Sequence, residues 1–160
     1  MIIYEIGDLL ESDEKYIVHC CNAQGAFGSG FAGAVRKKYP ECYGAYMAAY
    51  HSQGNKLHIG QVVEYEDKSD GRTIFNAIGQ EYYGYDSVTT GAVYVSYTAL
   101  EAALQRVKEI MASKGAYRIS MPLIGSGLAG GDWKIISKIV EKVFDGFEII
   151  VYTLDGKVPS

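Results

Sequence analysis

The chain has little with which to build a disulfide scaffold, span a membrane or grip a nucleic-acid backbone. Its 160 residues include only three cysteines, Cys20, Cys21 and Cys42. Cys20 and Cys21 are adjacent in a strand-like run, poorly placed to bridge each other, and no CxxC occurs. Reduced thiols and a cytoplasmic setting are expected. No apolar run approaches the roughly 18 residues of a membrane helix, and the opening MIIYEIGDLL has no basic leader. A membrane partner is therefore not expected. The net charge of −4 argues against an extended nucleic-acid surface, which needs a basic face. Prolines are few, at three, and no linker or low-complexity stretch interrupts the chain, so residues 1–160 read as one domain. No long apolar stripe asks for a partner subunit, and a monomer is expected. His19, His51 and His58 have no ligand-like spacing with the cysteines, so neither a metal nor another cofactor is expected.

Glycine is abundant, with 19 residues, and its placement is informative. GSGFAG at Gly28 to Gly33 returns as GSGLAG at Gly125 to Gly130. Each copy follows a strand-like run and precedes a helix-like run. Glycine lets the backbone turn and approach a ligand closely. A helix start behind the loop aims free N–H groups and the positive end of the helix dipole at whatever sits there. Two such loops suggest one elongated, doubly charged ligand held from both sides, for which a diphosphate is the natural candidate.

Strands are expected at Ile2 to Ile6, Tyr16 to Asn22, Gln61 to Tyr65, Arg72 to Ile78, Tyr117 to Met121 and Phe147 to Leu154. Helices are expected at Ser29 to Lys38, Glu41 to Ser52, Val93 to Lys114 and behind Asp132, a plausible N-cap. Glu81 to Gly91 reads as an irregular loop. Strands alternating with helices imply an α/β fold with a mainly parallel sheet covered on both faces. Tyrosine, at 14 residues, is the compositional oddity, with Tyr82, Tyr83, Tyr85, Tyr94 and Tyr97 clustered. They read either as half-buried packing rings or as an aromatic flap beside a ligand.

Both loops fit GxGxxG, but the dinucleotide fingerprint also needs an acid about 20 residues further on. Counting from Gly28 lands in AYMAAYHSQG, which has none. From Gly125 it lands near Asp145, before the next strand begins. Neither loop carries the GK[ST] ending of a Walker A motif. The segments HCCNAQGAFGSGFAGAVRKKYP (His19 to Pro40), MPLIGSGLAGGDW (Met121 to Trp133), VYTL (Val151 to Leu154) and GDL (Gly7 to Leu9) instead resemble the macro domain family. They are most similar to the branch of ADP-ribose 1″-phosphate phosphatases and terminal ADP-ribose glycohydrolases. The resemblance spans nearly the whole chain and implies a three-layer α/β/α fold around a mixed, mainly parallel sheet.

It also implies residue roles. Asp8 would accept from the adenine amino group, with the backbone of Leu9 beside it, a turn or cap role after the strand being the lesser alternative. Tyr152 and Leu154 would flank the adenine face. Gly28, Ser29, Gly30, Phe31 and Ala32 would form the first phosphate loop. Gly125, Ser126, Gly127, Leu128 and Ala129 would form the second, with Ile124 closing over the distal ribose. Asn22 would orient the distal ribose hydroxyls, since an amide both donates and accepts. His19 is either a proton donor or acceptor or a hydrogen-bonded buried histidine. Strand alternation puts His19 and Asn22 on opposite faces unless a bulge intervenes.

The departures from the family are equally specific. The glycohydrolase branch uses a lysine before its long helix, but Asp86 to Tyr97 contains none and Val88 stands near that place. Ala129 occupies the position of that branch's second-loop aspartate. The resemblance thus favours hydrolysis of ADP-ribose 1″-phosphate to ADP-ribose and phosphate, with His19 or Asn22 assisting a water. Removal of ADP-ribose from modified macromolecules, and non-catalytic reading of ADP-ribose, remain as alternatives.

Overall fold

The computed structural model describes residues 1–84 and 86–159; Tyr85 and the side chain of Val88, both singled out in the sequence, lie outside the described residues. A single six-stranded sheet takes strands from both ends of the chain. Its strands are β1 (Ile2–Ile6), β2 (Tyr16–Asn22), β3 (Val62–Glu66), β4 (Thr73–Gln80), β5 (Arg118–Met121) and β6 (Glu148–Thr153). They lie in the order β1-β6-β5-β2-β4-β3, all parallel except β3, which runs antiparallel on β4. The charged turn between β3 and β4 makes that one antiparallel pair a hairpin.

Five helices are described: α1 (Gly30–Lys38), α2 (Pro40–Ser52), α3 (Ser87–Thr90), α4 (Tyr97–Ser113) and α5 (Trp133–Val143). Two apolar cores result, one per sheet face. Leu100, Leu104, Val107 and Met111 of α4, with Ile136, Val140 and Val143 of α5, pack on Val18, Phe75, Ile119 and Val151. Val35 of α1 and Cys42 and Tyr46 of α2 pack on Ile17, Ile74 and Ile78 across the sheet. Every side chain of β4 is buried, as a central strand covered on both faces requires. The arrangement is the expected three-layer α/β/α sandwich.

Helix boundaries agree with expectation to within a residue except at the start of α4, and α3 lies in a segment read as irregular loop. The long helix begins at Tyr97 rather than Val93, because the Ser96 side chain caps it by accepting from Ala99 N at 3.2 Å. The preceding residues are taken by other partners. Val95 bridges Gln80, and the Tyr94 and Val95 N–H groups both donate to Ala129 O. The segment Glu81 to Gly91 also holds the short α3, which ends on Gly91 at φ 74°.

Helices after β2 cover one face and the helix after β5 covers the other, so the winding of the sheet reverses between these neighbouring strands. β5 stops at Met121, one residue past its Ile17–Ser120 pairing with β2, whereas β2 continues to Asn22. Such reversal points leave a crevice at the carboxyl ends of the strands. Both glycine loops emerge there.

Candidate functional site

The crevice is a cavity of about 570 Å³. Gly28 to Ala32 line one wall and Ile124 to Ala129 the other, with His19 and Asn22 at the base. The two loops nearly touch: a Cβ built on Gly30 would lie 3.8 Å from Leu128 Cδ1. Gly30, Gly125 and Gly127 have φ of 59°, 74° and 63°, which glycine adopts without strain. Gly33 is required for a different reason, since a Cβ there would lie 2.9 Å from Gly28 O.

Ser29 is the N-cap of α1, but its side chain does not cap the helix. Gly30, Phe31 and Ala32, which line the cavity, are first-turn residues whose N–H groups have no intrahelical acceptor. The second loop makes a short 3-10 turn at Gly127–Ala129, braced from behind by Gly131 N donating to Gly125 O at 2.9 Å. No Asp, Glu, Lys or Arg lines the cavity among the described residues. An anion placed there would be met by backbone dipoles and neutral polar side chains, with no opposing full charge among the described lining.

The Tyr46 hydroxyl of α2 lies 3.1 Å from Asn22 Oδ1 and Phe27 of the same core packs on His19, so both residues meet the α1–α2 side of the sheet. Opposite the single step from Cys21 to Asn22, β4 advances two residues, from Ile78 to Gln80, so the extra residue of the bulge is Gly79 of β4. Asn22 Oδ1 already accepts from Gln24 N (2.9 Å) and Ala26 N (3.2 Å), while the single hydroxyl hydrogen of Tyr46 goes to Asn22 O at 2.6 Å. Its Nδ2 donates to Ala26 O at 2.6 Å. One N–H therefore remains, so Asn22 can donate to a ligand hydroxyl but has no acceptor left to offer.

His19 is 1% exposed, with Phe27 and Phe31 rings each 5.4 Å from its own. Asn76 Nδ2 donates to Val63 O, which turns Asn76 Oδ1 toward His19 Nε2 at 2.6 Å. Nε2 therefore carries the hydrogen, and the lone pair is on Nδ1, 3.8 Å from Cys21 Sγ. Burial pushes the imidazolium down to about 4, partly opposed by the Asn76 bond. His19 is neutral at pH 7.

Asp8, Leu9, Tyr152 and Leu154 do not line this cavity. Asp8 is exposed at the end of β1, where Oδ1 accepts from Leu10 N at 3.0 Å to cap the short turn Leu9–Glu11. Leu9 is buried beneath that turn. The Tyr152 hydroxyl donates to Glu14 Oε2 at 2.9 Å, and Leu154 is 79% exposed. Asp132 caps α5 by accepting from Lys134 N at 2.9 Å, a sufficient structural role.

Gln80, which the sequence did not single out, and Tyr83, one of the rings read as packing or as an aromatic flap, also line the cavity. The pairing of Gln80 with Asn22 across the bulge brings it in. Tyr83 belongs to the tyrosine cluster and is half exposed at the rim. That composition was the available signal for it.

A family model described as "Macro domain" matches residues 18–140. A Candida albicans protein named ADP-ribose 1″-phosphate phosphatase is 29% identical, the match covering 96% of this chain and all of that one. A Bos taurus protein named ADP-ribose glycohydrolase OARD1 is 30% identical, over 96% of this chain and 91% of its own. A solved structure from Bacteroides thetaiotaomicron, described as of unknown function, superposes with a TM-score of 0.81 at 30% identity, covering 95% of this chain and 97% of that one.

Proposed function

The chain belongs to the macro domain family, and from that premise we propose that it binds ADP-ribose and hydrolyses ADP-ribose 1″-phosphate to ADP-ribose and phosphate. The observation carrying this reading is the facing of two glycine loops across one cavity that has no charged side chain among its described lining. Backbone N–H groups of the two loops hold the diphosphate, Asn22 donates to a distal ribose hydroxyl, and Asp8 with Leu9 meets the adenine outside the cavity. Tyr152 and Leu154 flank the base.

Hydrolysis on this site is water attack on the terminal phosphorus with departure of the C1″ oxygen. Aligned N–H dipoles stabilise the charge that builds on the phosphoryl oxygens. Neutral His19 is not an acid at pH 7; its Nδ1 lone pair is a weak acceptor for the proton of the attacking water, and the departing C1″ oxygen takes its proton from solvent water. A weak base and no cation among the described lining make a slow enzyme.

Phosphate release from ADP-ribose 1″-phosphate is the test: turnover above buffer is expected, and none would end the phosphatase reading. The similarity to a named glycohydrolase supports a second activity, release of ADP-ribose from modified macromolecules. The absence of a lysine between Asp86 and Tyr97, and Ala129 in the second loop, count against it. The reading extends to a single-domain monomer in a reducing cytoplasm, supported by three free thiols. Among the described residues, no helix is long and apolar enough to cross a membrane.

A further inference from the structure

Two arginines outside the ligand cavity tie down the turn that carries Asp8. Arg72, just before β4, is only 7% exposed, and its guanidinium meets main-chain carbonyls. Nε donates to Glu14 O at 2.8 Å, Nη1 to Leu10 O at 2.9 Å and to the Tyr39 hydroxyl at 2.9 Å, and Nη2 to Ser12 O. Three carbonyls from one short stretch thus converge on one rigid planar fork, a geometry that an ammonium cannot reproduce.

Leu10 links this fork to the ligand-facing carboxylate. Its N–H donates to Asp8 Oδ1 at 3.0 Å, while its carbonyl is held by Arg72 and by Lys38 Nζ at 2.7 Å. Asp8 Oδ2 is left for a donor. At the far end of the turn, Arg118 grips the buried Glu14 carboxylate with both Nε (2.9 Å) and Nη2 (2.8 Å). That pairing holds Glu14 ionised, its carboxyl lowered to about 2. The turn is therefore fixed at both ends by bonds that reach no cavity residue.

We propose that Arg72 is a positioning residue for base recognition: through Leu10 it fixes the Asp8 carboxylate in the orientation that reads an adenine amino group, and Arg118 braces the same turn through Glu14. The proposal rests on the reading of Asp8 as the adenine-binding acid. Arg72 touches no ligand, so its effect is on selectivity for the base and not on the grip of the loops.

The test compares calorimetric affinities for ADP-ribose and for its hypoxanthine counterpart, which carries a carbonyl oxygen in place of the exocyclic amine. Wild type is expected to prefer ADP-ribose by about tenfold or more, as for a hydrogen bond to a charged group. Arg72→Lys is expected to cut that preference to roughly threefold or less, with the hypoxanthine ligand bound within about twofold of wild type, because charge is kept and the fork is lost. An unchanged preference, or equal weakening of both ligands, overturns the proposal. Arg118→Gln changes a half-exposed residue and serves if Arg72→Lys does not fold. It is expected to lower the preference by about threefold through a loosened Glu14, and an unchanged preference there overturns the proposal too. Wild type with no preference between the two ligands would sink the Asp8 reading itself, a failure distinct from any result on the arginines.

Discussion

His19 illustrates how one side chain's surroundings settle its chemistry. Its ring is sealed between Phe27 and Phe31 and bonded to Asn76, so the folded protein resists protonating it until pH falls to about 4. An unfolded histidine takes its proton near pH 6.5. Between those values the unfolded state binds more protons, so stability is fully present above about pH 6.5 and is lost as pH falls toward 4. The loss at the acid end is on the order of 3 kcal/mol. Glu14, lowered to about 2, contributes its own loss only below its ordinary value near 4.5. Urea unfolding at pH 7, 6 and 5 is expected to show falling stability, and a flat series would show that His19 is not shielded. Phosphate release should likewise show no inflection attributable to His19 between pH 6 and 8. At Asp8 the stakes are in binding. Asp8→Ala is expected to weaken ADP-ribose affinity by about 1.5–3 kcal/mol, the worth of a hydrogen bond to a charged group, read by calorimetry.

Among the elements, the two glycine loops and the helix starts behind them decide whether a ligand is held. Gly127 has φ 63°, and a Cβ built there meets nothing within 4 Å, so a side chain would be strained and would extend into open space at the cavity wall. Gly127→Val is expected to abolish ADP-ribose binding with the fold retained by circular dichroism. Asp132 provides the contrast. Asp132→Ala should cost about 1 kcal/mol of stability through loss of the α5 cap, with ligand affinity unchanged. Affinity loss there would mean that Asp132 reaches the ligand. Much of this was legible in the chain, because periodicity and glycine placement act locally: β2 was readable to its ends, α1 to within its caps and α5 at its start. The start of α4 was not legible. Val93 to Ser96 continue an acceptable helical pattern, and only the contacts to Gln80 and Ala129, distant in sequence, draw them into an extended path. The bulge opposite Cys21–Asn22 went unread, although its extra residue, Gly79 of β4, is the kind of strand glycine that marks one. Arg72 reads as an ordinary strand-start cation until its three carbonyl partners are seen.

At the scale of the whole molecule, an acidic protein binds an anion against its own net charge of −4. The sheet resolves this conflict through topology. Reversal of winding between β2 and β5 brings two loop-to-helix junctions to one crevice, so that fixed backbone dipoles do the work that lysine or arginine would do elsewhere. Backbone dipoles act at contact range in a partly desolvated cavity, where mobile ions hardly reach, whereas attraction between surface charges is screened over about 8–10 Å at ordinary ionic strength. Affinity for ADP-ribose is therefore expected to change by less than about threefold between 50 and 500 mM NaCl. Any change should be a gain, since salt relieves the repulsion between the protein's net negative charge and the diphosphate. Calorimetric titrations across that range decide it. A steep loss of affinity with salt would mean that cationic side chains, and not the amide walls of the two loops, hold the ligand.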